Sequence, residues 1–168
     1  IRLLDLGMDP FNFADALLGV LAQRLARRLC TSCRKGHVAT GAELEALLDE
    51  YALELMAIDS WKKDPQAARA AQLREWIGAF GNEKGEITLY VPVGCDVCNG
   101  TGYRGRVGLH ELLVGTDAIK KGIQEHARVA AMFATALAEG MRTLKQDGIE
   151  KVLAGITDMH QVRSVCIK

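Results

Sequence analysis

The sequence predicts an α+β chain, mainly helical, that carries a tetracysteine zinc-binding extension. Three observations predict it. Apolar residues recur at helical spacing in several stretches that begin with capping residues. Short β-rich runs, "EITLYVPV" and "VGLHELL", adjoin "GCDVCNGTGYRGR". Two Cys-x-x-Cys pairs, Cys30/Cys33 and Cys95/Cys98, occur with no export signal, which favours metal over disulfides.

The elements follow in order. Asp9 caps and Pro10 opens a helix read through "DPFNFADALLGVLAQRL", with Phe13, Leu17, Leu18 and Leu21 as its apolar positions. From Gln23 the period is ambiguous between helix and strand up to Cys30. Thr40-Gly41-Ala42-Glu43 has the form of a capping box and opens a helix through Leu44, Leu47, Leu48, Tyr51 and Leu55. Asp64-Pro65 opens another, with Leu73, Trp76, Ile77 and Phe80 on its apolar side, and "GNEKG" ends it. Beyond Glu111 the chain turns helical, with starts at Thr116-Asp117 and Thr157-Asp158 and helical segments at 127–139 and 142–153. Met132, Phe133, Leu137, Met141 and Leu144 read as core.

Bulk properties narrow the class. The chain has 168 residues with 21 Lys+Arg against 21 Asp+Glu, so no global charge points to nucleic acid or a membrane surface. No apolar run approaches the ~18 residues of a spanning helix. The apolar opening "IRLLDLGM" without an initiator Met reads as part of something longer.

Two Cys-x-x-Cys pairs can complete a tetrahedral shell around Zn²⁺. Gly100 and Gly102 let the second knuckle turn with positive φ, and Gly36 is expected to act similarly in the first. Four thiolates leave the ion with net negative charge, which Arg28, Arg34, Lys35, Arg104 and Arg106 are placed to offset. His37 and His110 are read as bystanders, and Cys166 as a small buried hydrophobe. The 61 residues between Cys33 and Cys95 make the segment 40–85 a helical insertion whose ends the metal clips together. Arg104 and Arg106, two apart at the start of a strand, should project to one side, with Val107, Leu109 and Glu111 on the other.

"LLGVLAQRLARRLCTSC", then "GCDVCNGTGYRGRVGLHELL", then "EGMRTLKQDGIEKVLAGIT" resemble the C-terminal part of the secretion ATPases, the motors of type II secretion and type IV pilus assembly. The resemblance implies that "AQRL" leads from a helix into a strand. It implies a tetracysteine zinc site at Cys30, Cys33, Cys95 and Cys98, and a C-terminal remnant of a RecA-like ATPase domain. Residues 1–29 would end the ATPase core, 30–103 form the zinc module with its insertion, and 104–168 form a strand and a C-terminal helical subdomain. It further implies a homohexamer working with an inner-membrane platform protein, cytoplasmic and peripheral at the inner membrane, using ATP and Mg²⁺ in the parent protein and binding no nucleic acid. Arg106, with Arg104, would then lie at a subunit interface or near nucleotide. The chain contains no G-x-x-x-x-G-K-[S/T] phosphate loop, so no catalytic residue is assigned. His160 stands where that family often has an acidic residue, which is read as weakening the last helix cap. The alternative is a chaperone-type cysteine-rich zinc module, since "CDVCNGTG" has the form C-x-x-C-x-G-x-G.

Overall fold

The computed structural model describes residues 6–166; the first five residues of the apolar opening lie outside it, as do residues 167 and 168. About half of the described residues are helical, so the chain is a mixed α/β structure. In chain order the elements are α1 (Pro10–Ala16), β1 (Gly19–Leu29), β2 (Lys35–Val38), α2 (Gly41–Ala52), α3 (Asp59–Lys63), α4 (Pro65–Phe80), β3 (Thr88–Val91), β4 (Tyr103–Val114), α5 (Asp117–Gln124), α6 (Val129–Ala138), α7 (Leu144–Leu153) and α8 (Met159–Val165). Short 3₁₀ turns occupy Leu55–Ala57 and Asp96–Cys98.

The caps form where the side chains invite them. Asp9, Thr40, Asp64, Thr116, Thr143 and Asp158 each accept a backbone amide at the start of a helix. Asp158 receives the Gln161 amide at 2.9 Å, so α8 is capped with His160 exposed beside it. At α2, Glu43 takes the Thr40 amide and hydroxyl and meets the His37 ring at 2.8 Å. These contacts, the Thr40 amide first, hold the Glu43 carboxyl down at about 2. A depressed carboxyl contributes stability above its unfolded pKa and loses it as pH falls toward the folded value. Side-chain NMR titration should therefore find the Glu43 midpoint near 2, and Thr40→Ala, which removes the hydroxyl but keeps the amide, should move it up only in part. A Glu43 midpoint near 4 in the unmodified chain would refute the box.

Two expected boundaries move. The first helix ends at Ala16 instead of running through Leu21. From Gly19 to Ala26 every residue pairs with β4, Gly19 opposite Val114 through Ala26 opposite Val107. The same pairing carries β4 past Glu111 to Val114 before α5 begins. Long-range strand pairing overrides the local leucine spacing, which fits either period.

The described residues form two antiparallel ladders, β1 with β4 and β2 with β3. The inner face of the long ribbon, with Ala26 and Leu109 buried, rests on α7 and α8. Gly148 in α7 supplies the space: a Cβ there would meet Val162 of α8 at 2.7 Å and Leu109 at 3.3 Å. On its other side α7 meets α2, where Gln146 donates to the Tyr51 carbonyl at 3.0 Å and the Tyr51 hydroxyl donates to Glu150 at 2.7 Å. The insertion helices therefore do not stand apart. Leu47, Leu48, Tyr51, Leu55 and Trp76 share one core with Leu137, Ile149, Val152, Leu153 and Val162. Phe133 and Met141 pack against that core, as does half-buried Cys166, whereas Met132 lines an apolar groove of about 660 Å³ with Phe13 and Leu17.

Candidate metal centre

The two ladders converge on the cysteines. β1 delivers Leu29 and Cys30, and the Cys30 amide donates to the Gly102 carbonyl at 2.9 Å. The second ladder sets Lys35 opposite Val91 and Val38 opposite Thr88, which returns the chain to the same spot after the insertion. The Cys95–Cys98 knuckle is a 3₁₀ turn closed by Asn99, Gly100 and Gly102 at positive φ. Gly102 could not be replaced freely, because a Cβ would also meet Pro92 at 2.5 Å.

The four sulfurs lie within 4.8 Å of one another. Cys30 and Cys95 are 4.0 Å apart, Cys33 and Cys98 3.8 Å, and Cys95 and Cys98 3.8 Å. Bonds of ~2.3 Å to a tetrahedral zinc give sulfur–sulfur edges of ~3.8 Å. A disulfide needs ~2.05 Å, and all five cysteines are free thiols. The residues present thus fit a closed four-sulfur metal site.

Backbone amides line the sulfurs: Gly94 donates to Cys33 at 3.3 Å, and Cys95 and Gly102 donate to Cys98 at 3.2 Å each. Burial opposes ionisation of Cys98, but those two amides together with hydrogen bonds from the Cys95 and Cys33 thiols bring it down to about 6. Burial holds Cys33 up at about 11, with the neighbouring sulfurs adding to the rise and the Gly94 amide opposing it. Sulfurs this close do not all ionise without a cation between them.

Several assigned neighbours behave differently from expectation. Arg34 does not serve the sulfurs: its guanidinium lies 4.2 Å over the Tyr90 ring and donates to the Gly155 carbonyl. Gly36 lies in β2 without positive φ, and what it supplies is room, since a Cβ would meet Thr88 and Tyr90 at 2.9 and 3.0 Å. His37 is engaged with Glu43, and the exposed His110 donates its amide to Asp147, so neither joins the cluster. Arg104 and Arg106 are both exposed and flank an irregularity in the ribbon. Between the pairs Arg27/Arg106 and Leu29/Tyr103, β4 carries one residue more than β1, and Gly105 at φ 80° makes this bulge. Beyond the bulge the Tyr103 side chain turns toward α8, where its hydroxyl donates to Asp158 at 2.5 Å. The sulfur-directed amides, and the pairing of Arg27 with Arg106, had no sequence signal beyond the glycines.

Residues 1–164 match the family model described as "Type II/IV secretion system protein". The chain belongs to that family. Relatives include the type II secretion system protein E of Dickeya dadantii, 38% identical over 161 residues, 96% of this chain and 25% of the relative. The type IV pilus assembly ATPase PilB of Thermus thermophilus is 38% identical over 166 residues, 96% of this chain and 15% of its own length. The type II secretion system ATPase E of Vibrio cholerae is 36% identical over 164 residues, 98% of this chain and 26% of its own. The chain thus spans about a quarter or less of these relatives. The match takes in both cysteine pairs and the "AQRLARRLC" lead-in, which the chaperone-type alternative leaves unexplained.

Proposed function

We propose that the chain is the C-terminal, zinc-bearing part of a hexameric ATPase that powers type II secretion or type IV pilus assembly. The family match over residues 1–164, whose relatives carry those names, supports the reading. Residues 1–29 end a RecA-like ATPase core, 30–103 are the zinc module with its helical insertion at 40–85, and 104–168 complete the C-terminal subdomain. Cys30, Cys33, Cys95 and Cys98 hold one Zn²⁺; four thiolates leave no open position, so the ion is structural. ATP and Mg²⁺ are handled by the parent's upstream residues. Arg106 and Arg104 contribute to contacts between subunits of a homohexamer that works with an inner-membrane platform protein at the cytoplasmic face.

No helix among the described residues is long and apolar enough to cross a membrane. The division of labour is tested by assaying Mg·ATP hydrolysis of the longer protein and of residues 1–168 alone. The longer protein should turn ATP over, with one zinc per chain, and the isolated chain should not, since it lacks a phosphate loop. Turnover by the isolated chain, or none by the longer protein, would overturn the reading.

A further inference from the structure

The charges of this neutral chain are segregated across its layers. Arg27 and Arg106 are direct cross-strand partners on the outer face of the β1–β4 ribbon, the face turned away from α7 and α8. Both are exposed, and neither has an ion-pair partner among the described residues. Like charges directly opposite each other in a sheet are unfavourable unless an anion lies between them. Leu25, two residues from Arg27 on the same face, is 50% exposed.

The opposite layer is acidic. Residues 41–61 carry six carboxylates and no Lys or Arg. Within them Glu45 and Asp49 of α2 share the single guanidinium of Arg69, at 2.6 and 2.7 Å, which leaves an uncompensated negative charge. Their side chains are 56% and 68% exposed. One helical turn beyond Asp49, Leu53 is 60% exposed. Two residues along a strand and four along a helix both span ~6–7 Å. The ribbon therefore presents arginine and leucine at the spacing at which α2 presents carboxylate and leucine. The two surfaces lie on opposite sides of the molecule, with α7 between β4 and α2.

We propose that the outer face of the ribbon docks on α2 of a second copy of this chain, with Arg27 and Arg106 receiving Glu45 and Asp49. Because the two patches differ, the contact is head-to-tail and builds a ring or an open stack, not an isolated two-fold dimer. It rests on the homo-oligomeric reading above and assigns that assembly a specific seam.

The test is charge exchange in the full-length protein. Arg27→Glu/Arg106→Glu leaves a subunit with two acidic faces, and Glu45→Lys/Asp49→Lys leaves one with two basic faces. Sedimentation at low salt should show the unmodified protein assembled and each double variant dissociated at least tenfold more readily. An equimolar mixture of the two should assemble again, in alternation. Metal content and circular dichroism of each variant establish that it is folded, and Arg27→Gln/Arg106→Gln with Glu45→Gln/Asp49→Asn serve as milder variants if either reversal fails to fold. Assembly of either double variant at the unmodified protein's concentration, or no rescue on mixing, overturns the seam while leaving the motor reading intact. An unmodified protein that hydrolyses ATP as a monomer overturns the seam and the homo-oligomeric reading together.

Discussion

Cys98→Ser should yield a chain without stoichiometric metal and with its two knuckles unfastened. Cys98 is the best-supported ligand: it is 6% exposed and receives amides from Cys95 and Gly102. A serine hydroxyl there would face the same donors but would not supply a soft anionic ligand. Structural zinc contributes roughly 10–16 kcal/mol of apparent binding energy in small peptides, and that energy is folding energy. The loss should therefore exceed that of any single core truncation. Elemental analysis should fall from one zinc per chain to none, and thermal unfolding should drop by tens of degrees and lose its sensitivity to chelator. Retention of stoichiometric metal in the variant would remove Cys98 from the ligand set. An unmodified chain that never contains metal would show that the 3.8–4.0 Å sulfur cluster is held by the two ladders alone.

Deleting residues 42–82 and bridging the gap with a short Gly-Ser linker should unfold the C-terminal helices. The sequence alone suggested that the metal clips this segment as an appendage, which would make the deletion harmless to zinc binding. The packing gives the opposite expectation. The deletion removes Leu47, Leu48, Tyr51, Leu55 and Trp76, all 6% exposed or less, and uncovers Ile149, Val152 and Leu153. Burying one such side chain contributes about 1.5–3 kcal/mol, so five together rival the ~5–15 kcal/mol stability of a whole domain. Glu150 would also lose the Tyr51 hydroxyl, and Arg163 and Lys145 would lose Glu50 as their partner. Circular dichroism and zinc stoichiometry of the deletion read the outcome. Native helix content in 144–165 with full zinc occupancy would show that the insertion is dispensable. The single change Trp76→Ala is a graded version, costing about 3–5 kcal/mol in urea unfolding.

Short-range chemistry is legible in the chain before it folds. A capping box such as Thr40 to Glu43, a Pro at a first helical turn, and a Cys-x-x-Cys followed by turn glycines each act within about four residues, so their outcome is written in the chain. The helices at α2, α4, α5, α7 and α8 were legible for that reason, as were the four cysteines that the structure draws together. Long-range packing settles everything that depends on which residue lies opposite. Leu17, Leu18 and Leu21 suit a helix until β4 arrives to pair with β1. Arg34 is one more basic residue near the sulfurs until Tyr90 and the Gly155 carbonyl come from 56 and 121 positions away. The insertion is an appendage by its length and a share of the core by its packing. In each case the local options differ by a kcal/mol or so, and contacts distant in sequence, made only after the chain has folded, tip the balance.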